Sequence, residues 1–215
     1  ICEGIRAYNG RVFRLEYHLQ RLEESANDIL LKLPMTLKEI EAAALETVRL
    51  NGLQDAYIRL VVTRGVGDLG LDMRKCRQGA SIFIIADKIE LYPEEFYEKG
   101  LTLVTSTIRQ KGLDQVTPGV KSLNYLANIL ARAEATAAGA QEAILLNATG
   151  QVSECSGDNL FYIKGGKIFT PPSSAGILSG VTRQVVMELA ESKLGVKVIE
   201  RNFPRYDLYT ADEVF

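Results

Sequence analysis

The sequence predicts an α+β chain made of two successive halves, and three observations carry that expectation. AYIRLVV, ASIFIIAD and LTLVTSTI are short apolar or alternating runs rich in β-branched residues, the signature of strands. Other segments place apolar residues three and four positions apart, the pattern of amphipathic helices. Near the middle, KIELYPEEFYEKG interrupts both patterns around Pro93 and reads as a connection.

The elements follow in order. EGIRAY and RVFRL flank Asn9-Gly10, a dipeptide suited to a tight hairpin turn. A helix is expected from about Glu16, with Leu19, Leu22, Ala26, Ile29 and Leu30 on one face. Thr36 and Glu39 have the spacing of a capping box for a second helix, which Gly52 stops. AYIRLVVTR and ASIFIIAD complete a small α+β domain over residues 1–87. Residues 88–99 form a linker with a short helix around Pro93, and residues 100–215 a larger domain. That domain opens with the strand LTLVTSTI and continues with a helix after Lys121. Three strands follow from Ala143 to Thr170, the last two joined by Gly165-Gly166. The helix VTRQVVMELAESKLG, the strand VKVIER and a proline-led turn close the chain. There is no internal repeat.

Composition excludes several classes of function. The 215 residues are 47% hydrophobic, ample for a packed core. A net charge of −2, with both signs interspersed, leaves no basic footprint for nucleic acid or an anionic membrane. No apolar run is long enough to span a bilayer. Cys2, Cys76 and Cys155 are odd in number and contain no CxxC pair, which suits reduced thiols in a cytoplasm and offers no zinc site. His18 is the only histidine, so no metal is expected and a serine-histidine triad is disfavoured. The chain begins at ICEGIRAY and stops at DEVF, both of which read as cut within strands, so truncation at both ends is expected.

The chemistry centres on Lys121, in TPGVKSLNYLANILARAEA. A lysine ahead of a helix feels the positive end of its dipole, which favours the neutral, nucleophilic amine. Its alternative is an ordinary solvated lysine. Glu154, in QVSECSGDNLF, ends a short strand and enters a loop. It is either a solvated strand end or an acid aimed at a bound group. An amine and an acid are what a pyridoxal cofactor requires, for its aldehyde and its ring nitrogen. Gly180, Val181 and Thr182 stand where a helix begins, a place suited to anions, although Ser179 or Thr182 could simply cap it. Arg59 lies in a very apolar strand and needs an anionic partner, with Tyr57 on its face by the two-residue period. That partner is a substrate carboxylate or a structural acid.

Five segments taken in order, EGIRAYNGRVFRLEYHLQRL, AYIRLVVTRGVGDLGLD, VKSLNYLANILARAEA, SECSGDNLF and LSGVTRQVV, resemble fold-type-IV pyridoxal-phosphate enzymes. Among these they are most similar to branched-chain amino acid aminotransferases. The resemblance implies the two-domain fold of the D-amino acid aminotransferase-like enzymes, with an α/β pseudo-barrel as the larger, cofactor-binding domain. It further implies transamination of leucine, isoleucine and valine with 2-oxoglutarate through a Lys121 Schiff base. By the same resemblance Glu154 meets the ring nitrogen and Tyr125 the phenolic oxygen. Arg21 pairs with the phosphate alongside Gly180, Val181 and Thr182. Tyr57 and Arg59 hold the substrate carboxylate, with Arg6 near the same region. The loop Gly65 to Asp72 is implied to cover the pocket of a partner in a homodimer or higher homo-oligomer, through Leu69 and Leu71. D-amino acid transaminases commonly carry Arg-x-His in that loop, and aminodeoxychorismate lyases often show Arg-Gly-Tyr after TRG; this chain has neither. A non-catalytic module of the same fold is the remaining alternative.

Overall fold

In the computed structural model, residues 1–89, 92–115 and 117–215 are described; Glu90 and Leu91 of the expected linker, and Val116, lie outside them. The chain divides into two compact units. One comprises Ile1–Pro93 with Val120–Leu123, the other Glu94–Gly119 with Asn124–Phe215.

In the first unit, β1 (Cys2–Tyr8), β2 (Arg11–Val12), β3 (Ala56–Thr63) and β4 (Ser81–Asp87) form an antiparallel sheet in the order β2-β1-β3-β4. The β1–β2 hairpin turns at Asn9 and Gly10, with φ of 50° and 75°, the paired positive values an Asn-Gly turn supplies. Helices α1 (Leu15–Asp28) and α2 (Leu37–Leu50) belong to the same unit, and Leu22, Ile40, Ile5, Ile58 and Leu60 bury their side chains in its core. The expected capping box is present: the Thr36 hydroxyl accepts from the Glu39 amide while Glu39 accepts from the Thr36 amide.

Leu30 does not extend the apolar face of α1. The helix ends at Asp28, and Leu30 sits at φ 54° with its side chain exposed. The amides of Leu30 and Leu31 turn back to Asn27 and Ala26 carbonyls, a Schellman closure that needs a left-handed residue at Leu30. Arg64 completes the cap by donating to the Ile29 and Leu30 carbonyls at 2.7 and 2.9 Å.

In the second unit, β5 (Leu103–Arg109), β6 (Glu142–Leu146) and β7 (Val152–Cys155) form one sheet, with β5 and β6 parallel. Helix α4 (Leu126–Ala137) packs beside it through Ala131 and Ala135, whose small side chains allow a close approach. A second sheet runs β10-β9-β8-β11, from β8 (Tyr162–Lys164), β9 (Lys167–Thr170), β10 (Ile199–Glu200) and β11 (Glu213–Val214). Helix α5 (Val181–Leu194) covers Phe161 and Ile168 with Ala190. The short α3 (Glu94–Lys99) falls where Pro93 predicted a helix, and α6 (Arg205–Tyr209) follows the proline-led turn.

Two expectations are corrected here. Four strands, not three, lie between residues 142 and 170. Helix α4 begins at Leu126, with Tyr125 as its N-cap. Lys121 therefore stands five residues ahead of the first helical residue. The dipole argument for the amine also loses its geometry, since the effect fades within the first turn.

Candidate active site

Lys121 is held by its own backbone. Its amide donates to Ser25 Oγ of α1 at 3.2 Å, and its carbonyl accepts from the Cys2 amide at the start of β1 at 2.9 Å. The residue is thus strapped to the first unit, and its side chain is partly buried.

Arg21 lies in the same unit and is not an exposed helix arginine. It is 8% exposed and grips Glu3 in bidentate fashion, Nε to Oε1 at 3.0 Å and Nη2 to Oε2 at 2.6 Å. His18 adds a third contact to Glu3 at 2.6 Å through Nδ1. Burial pushes the Glu3 carboxyl up, but hydrogen bonds from His18 and Arg21 and their charges outweigh it, holding the group below its ordinary value. Glu3 fixes the Nε–Nη2 edge of a planar fork that has two edges. Nothing in the local pattern marks Glu3, because an acid among apolar strand residues looks like any other.

A depressed carboxyl contributes stability above its unfolded pKa, and that contribution is lost as pH falls through the folded value. We therefore expect the chain to weaken on acidification below pH 4.5, the ordinary Glu value. Glu3→Gln should lower stability at neutral pH by about 1–3 kcal/mol, because buried donors on Arg21 and His18 lose their charged partner. It should also flatten the acid limb. Urea titrations of both proteins across this range check the slope as well as the size.

Tyr57, Arg59 and Arg6 share one face of the first sheet. In β3, Ala56, Ile58, Leu60 and Val62 are buried, while Tyr57 and Arg59 alternate with them. Cross-strand pairing sets Arg6 opposite Tyr57 and Gly4 opposite Arg59. The Tyr57 ring lies over Gly4, where a Cβ would stand 2.3 Å from the Tyr57 hydroxyl. Arg6 donates to the Ile89 carbonyl at 3.2 Å, yet its Nε is buried with no hydrogen-bond partner. An orphaned guanidinium nitrogen on that face fits an anion that completes it.

Glu154 is the centre of the second unit's polar cluster. It sits on β7, 8% exposed. Gln110 Nε2 donates to Oε1 at 2.6 Å, and Asn159 Nδ2 and the Leu178 amide donate to Oε2 at 3.2 and 2.8 Å. Donors on both oxygens suit an ionised carboxylate. Lys111 lies nearby, donating to the Asn124 carbonyl; burial pushes its ammonium down while the Glu154 charge pulls it up. None of Gln110, Lys111 or Asn159 stood out in the sequence.

Gly180 is the N-cap of α5 and the helix carries no side-chain cap. Thr182 is exposed, whereas Val181 buries its side chain and offers only its amide. Tyr125 is half-buried at the start of α4. Leu69 and Leu71 are 95% and 102% exposed, on a loop tied by Asp72–Arg74 and by Lys75 donating to the Leu69 carbonyl. Among the described residues no cluster of three or more His, Cys, Asp or Glu could hold a metal ion, and no helix is long and apolar enough to cross a membrane.

In the first unit stand Lys121, strapped by its backbone, and Arg21, paired with Glu3; in the second stand Glu154, held by hydrogen-bond donors, and the α5 start at Gly180. An amine, an acid and anion-binding groups are what a pyridoxal-phosphate enzyme uses. The family model for amino-transferase class IV matches residues 1–215, and the chain belongs to that family, whose solved members include one in its pyridoxal-phosphate form. A protein of Methanocaldococcus jannaschii provisionally named a branched-chain-amino-acid aminotransferase is 48% identical over all of this chain and 73% of its own length. The Escherichia coli branched-chain amino acid aminotransferase structure superposes with a TM-score of 0.93 at 35% identity, over the whole chain and 72% of that protein. The branched-chain aminotransferase of Thermoproteus uzoniensis, solved with norvaline, gives 0.92 at 39%, again over the whole chain and 72% of its partner in the comparison.

Proposed function

We propose that this protein exchanges amino groups between leucine, isoleucine or valine and 2-oxoglutarate, using pyridoxal 5'-phosphate. The observation that carries the proposal is the buried Glu154 carboxylate, held by Gln110, Asn159 and the Leu178 amide in a chain matched throughout by class IV aminotransferases. When bound, the cofactor supplies an aldehyde that captures amines and a ring that withdraws electrons from Cα of the substrate. Glu154 would meet the ring nitrogen and keep its proton there. Tyr125 would hydrogen-bond the phenolic oxygen. The Val181 and Thr182 amides, the Thr182 hydroxyl and Arg21 would hold the phosphate, with Gly180 leaving the approach open.

Lys121 would hold the aldehyde of the bound cofactor through Nζ. The same Nζ, when free, would take the proton from Cα of the substrate, hold it, and return it in the second half-reaction. Tyr57 and Arg59 receive the α-carboxylate of either substrate, and Arg6 the second carboxylate of the acidic one, which its orphaned Nε supports. The full exposure of Leu69 and Leu71 supports their covering the pocket of a second copy, so the working form is a homodimer or a higher homo-oligomer. Three free cysteines with no CxxC pair support a cytoplasmic location.

The visible absorbance of purified full-length protein tests this reading. L-leucine should convert it rapidly and D-alanine slowly; faster conversion by D-alanine overturns the substrate assignment. A second test concerns Arg59. Charge recognition of the α-carboxylate is common to all donors, whereas apolar discrimination is worth only about 1–3 kcal/mol per methylene. Arg59→Gln should therefore raise KM about tenfold or more for every amino donor without reordering leucine, isoleucine and valine, since charged hydrogen bonds contribute about 1.5–3 kcal/mol. Steady-state kinetics decide: a new order with unchanged KM would move Arg59 to the side-chain pocket.

A further inference from the structure

Asn159 stands between two parts of the site that the sequence treats as separate. Its Nδ2 group donates to Glu154 Oε2 at 3.2 Å and to the Leu178 carbonyl at 2.9 Å. Leu178 in turn donates its amide to the same Glu154 oxygen at 2.8 Å. A carbonyl and a carboxylate only accept, so the orientation of the Asn159 amide is fixed by its neighbours.

The remaining atom of that amide points to the helix start. A Cβ on Gly180 would lie 2.1 Å from Asn159 Oδ1. Gly180 has φ −67° and ψ 139°, an extended conformation open to any residue. Glycine is needed there for space, not for backbone freedom. The space is filled by Asn159.

We propose that Asn159 is a positioning residue that ties the acid facing the cofactor ring to the helix start facing its phosphate, so that the two ends of the cradle are set together. One side chain thereby fixes the distance between a ring-nitrogen acceptor and a phosphate-binding amide pair. This rests on the reading of Glu154 and of the α5 start given above. Aspartate has the shape of asparagine but lacks both donors, and it would set a second carboxylate against Glu154. Alanine removes the bridge and leaves Oε2 of Glu154 one donor short.

The test titrates full-length apoprotein with three probes: pyridoxal 5'-phosphate, pyridoxal, which has the ring and no phosphate, and inorganic phosphate. Visible absorbance follows the first two and calorimetry the third. Asn159→Ala should weaken both pyridoxal and phosphate, each by roughly tenfold, the worth of one hydrogen bond per end. Asn159→Asp should not rescue either. Gly180→Ala, which pushes on Oδ1 from the other side, should also weaken both. Loss confined to pyridoxal, or confined to phosphate, would reduce Asn159 to a support of one end and overturn the bridge. Unchanged affinities for both would overturn it as well. If Asn159→Ala lowers the melting temperature of the apoprotein below the assay range, the Asp and Gly180 variants decide on the same criteria. Glu154→Gln in the otherwise unaltered chain separates the two readings: an unaltered single-turnover rate with L-leucine there would fault the role of Glu154 itself, whatever Asn159 does.

Discussion

Replacing Lys121 with alanine abolishes transamination and the visible absorbance of bound cofactor. The amine is asked to do two things, to capture the aldehyde and to move the Cα proton. Loss of a positioned base alone costs about 10²–10⁴ in rate, and loss of covalent capture adds to it. A rival amine makes the experiment sharper. Burial disfavours the charged form of Lys111, a property expected of a nucleophilic lysine, while the nearby Glu154 charge opposes it. Lys111→Ala should therefore be made beside Lys121→Ala. If activity survives the loss of Lys121 and disappears with Lys111, the amine has been assigned to the wrong residue.

Glu154→Gln should leave cofactor bound and slow the chemical step by about a hundredfold or more, a few kcal/mol of barrier. An amide does not keep the ring nitrogen protonated, so negative charge developing at Cα has a poorer sink. Its NH₂ group would also replace one of the two accepting oxygens, setting a donor against either Gln110 or the Asn159 and Leu178 pair. Rapid mixing with L-leucine under single-turnover conditions isolates this step from product release. An unaltered rate would return Glu154 to a purely structural role.

Much of the fold was legible because local chemistry dictates it. Asn9-Gly10 can hardly do other than turn a hairpin, and Thr36 with Glu39 closes a capping box from neighbouring residues alone. The errors fall where tertiary contacts overrule local pattern. Leu30 has helical spacing, but a Schellman closure capped by Arg64 bends the chain at that residue. Among the candidate residues, Lys121, Glu154 and Arg21 stand out by motif and resemblance. Glu3, Gln110 and Asn159 do not, because each acts by holding another side chain that is distant in sequence. Gln110 and Glu154 are 44 residues apart and meet only once β5, β6 and β7 are assembled.

The strap that holds Lys121 also sets an order of assembly. Val120 belongs to the core of the first unit, and the Lys121 amide reaches Ser25 across 96 residues of chain. A chain emerging from the ribosome N-terminus first displays β1 to β4 and both of the unit's longer helices well before this tetrapeptide exists. The first unit then waits one core side chain and two backbone bonds short of completion. Closing so long a loop adds little entropy over a shorter one, since the cost grows only logarithmically, but contacts this distant in sequence slow folding. Lys121 is thus seated by a late event in the maturation of the nascent chain, and a translational stall before it would leave a unit with all its strands and without that strap.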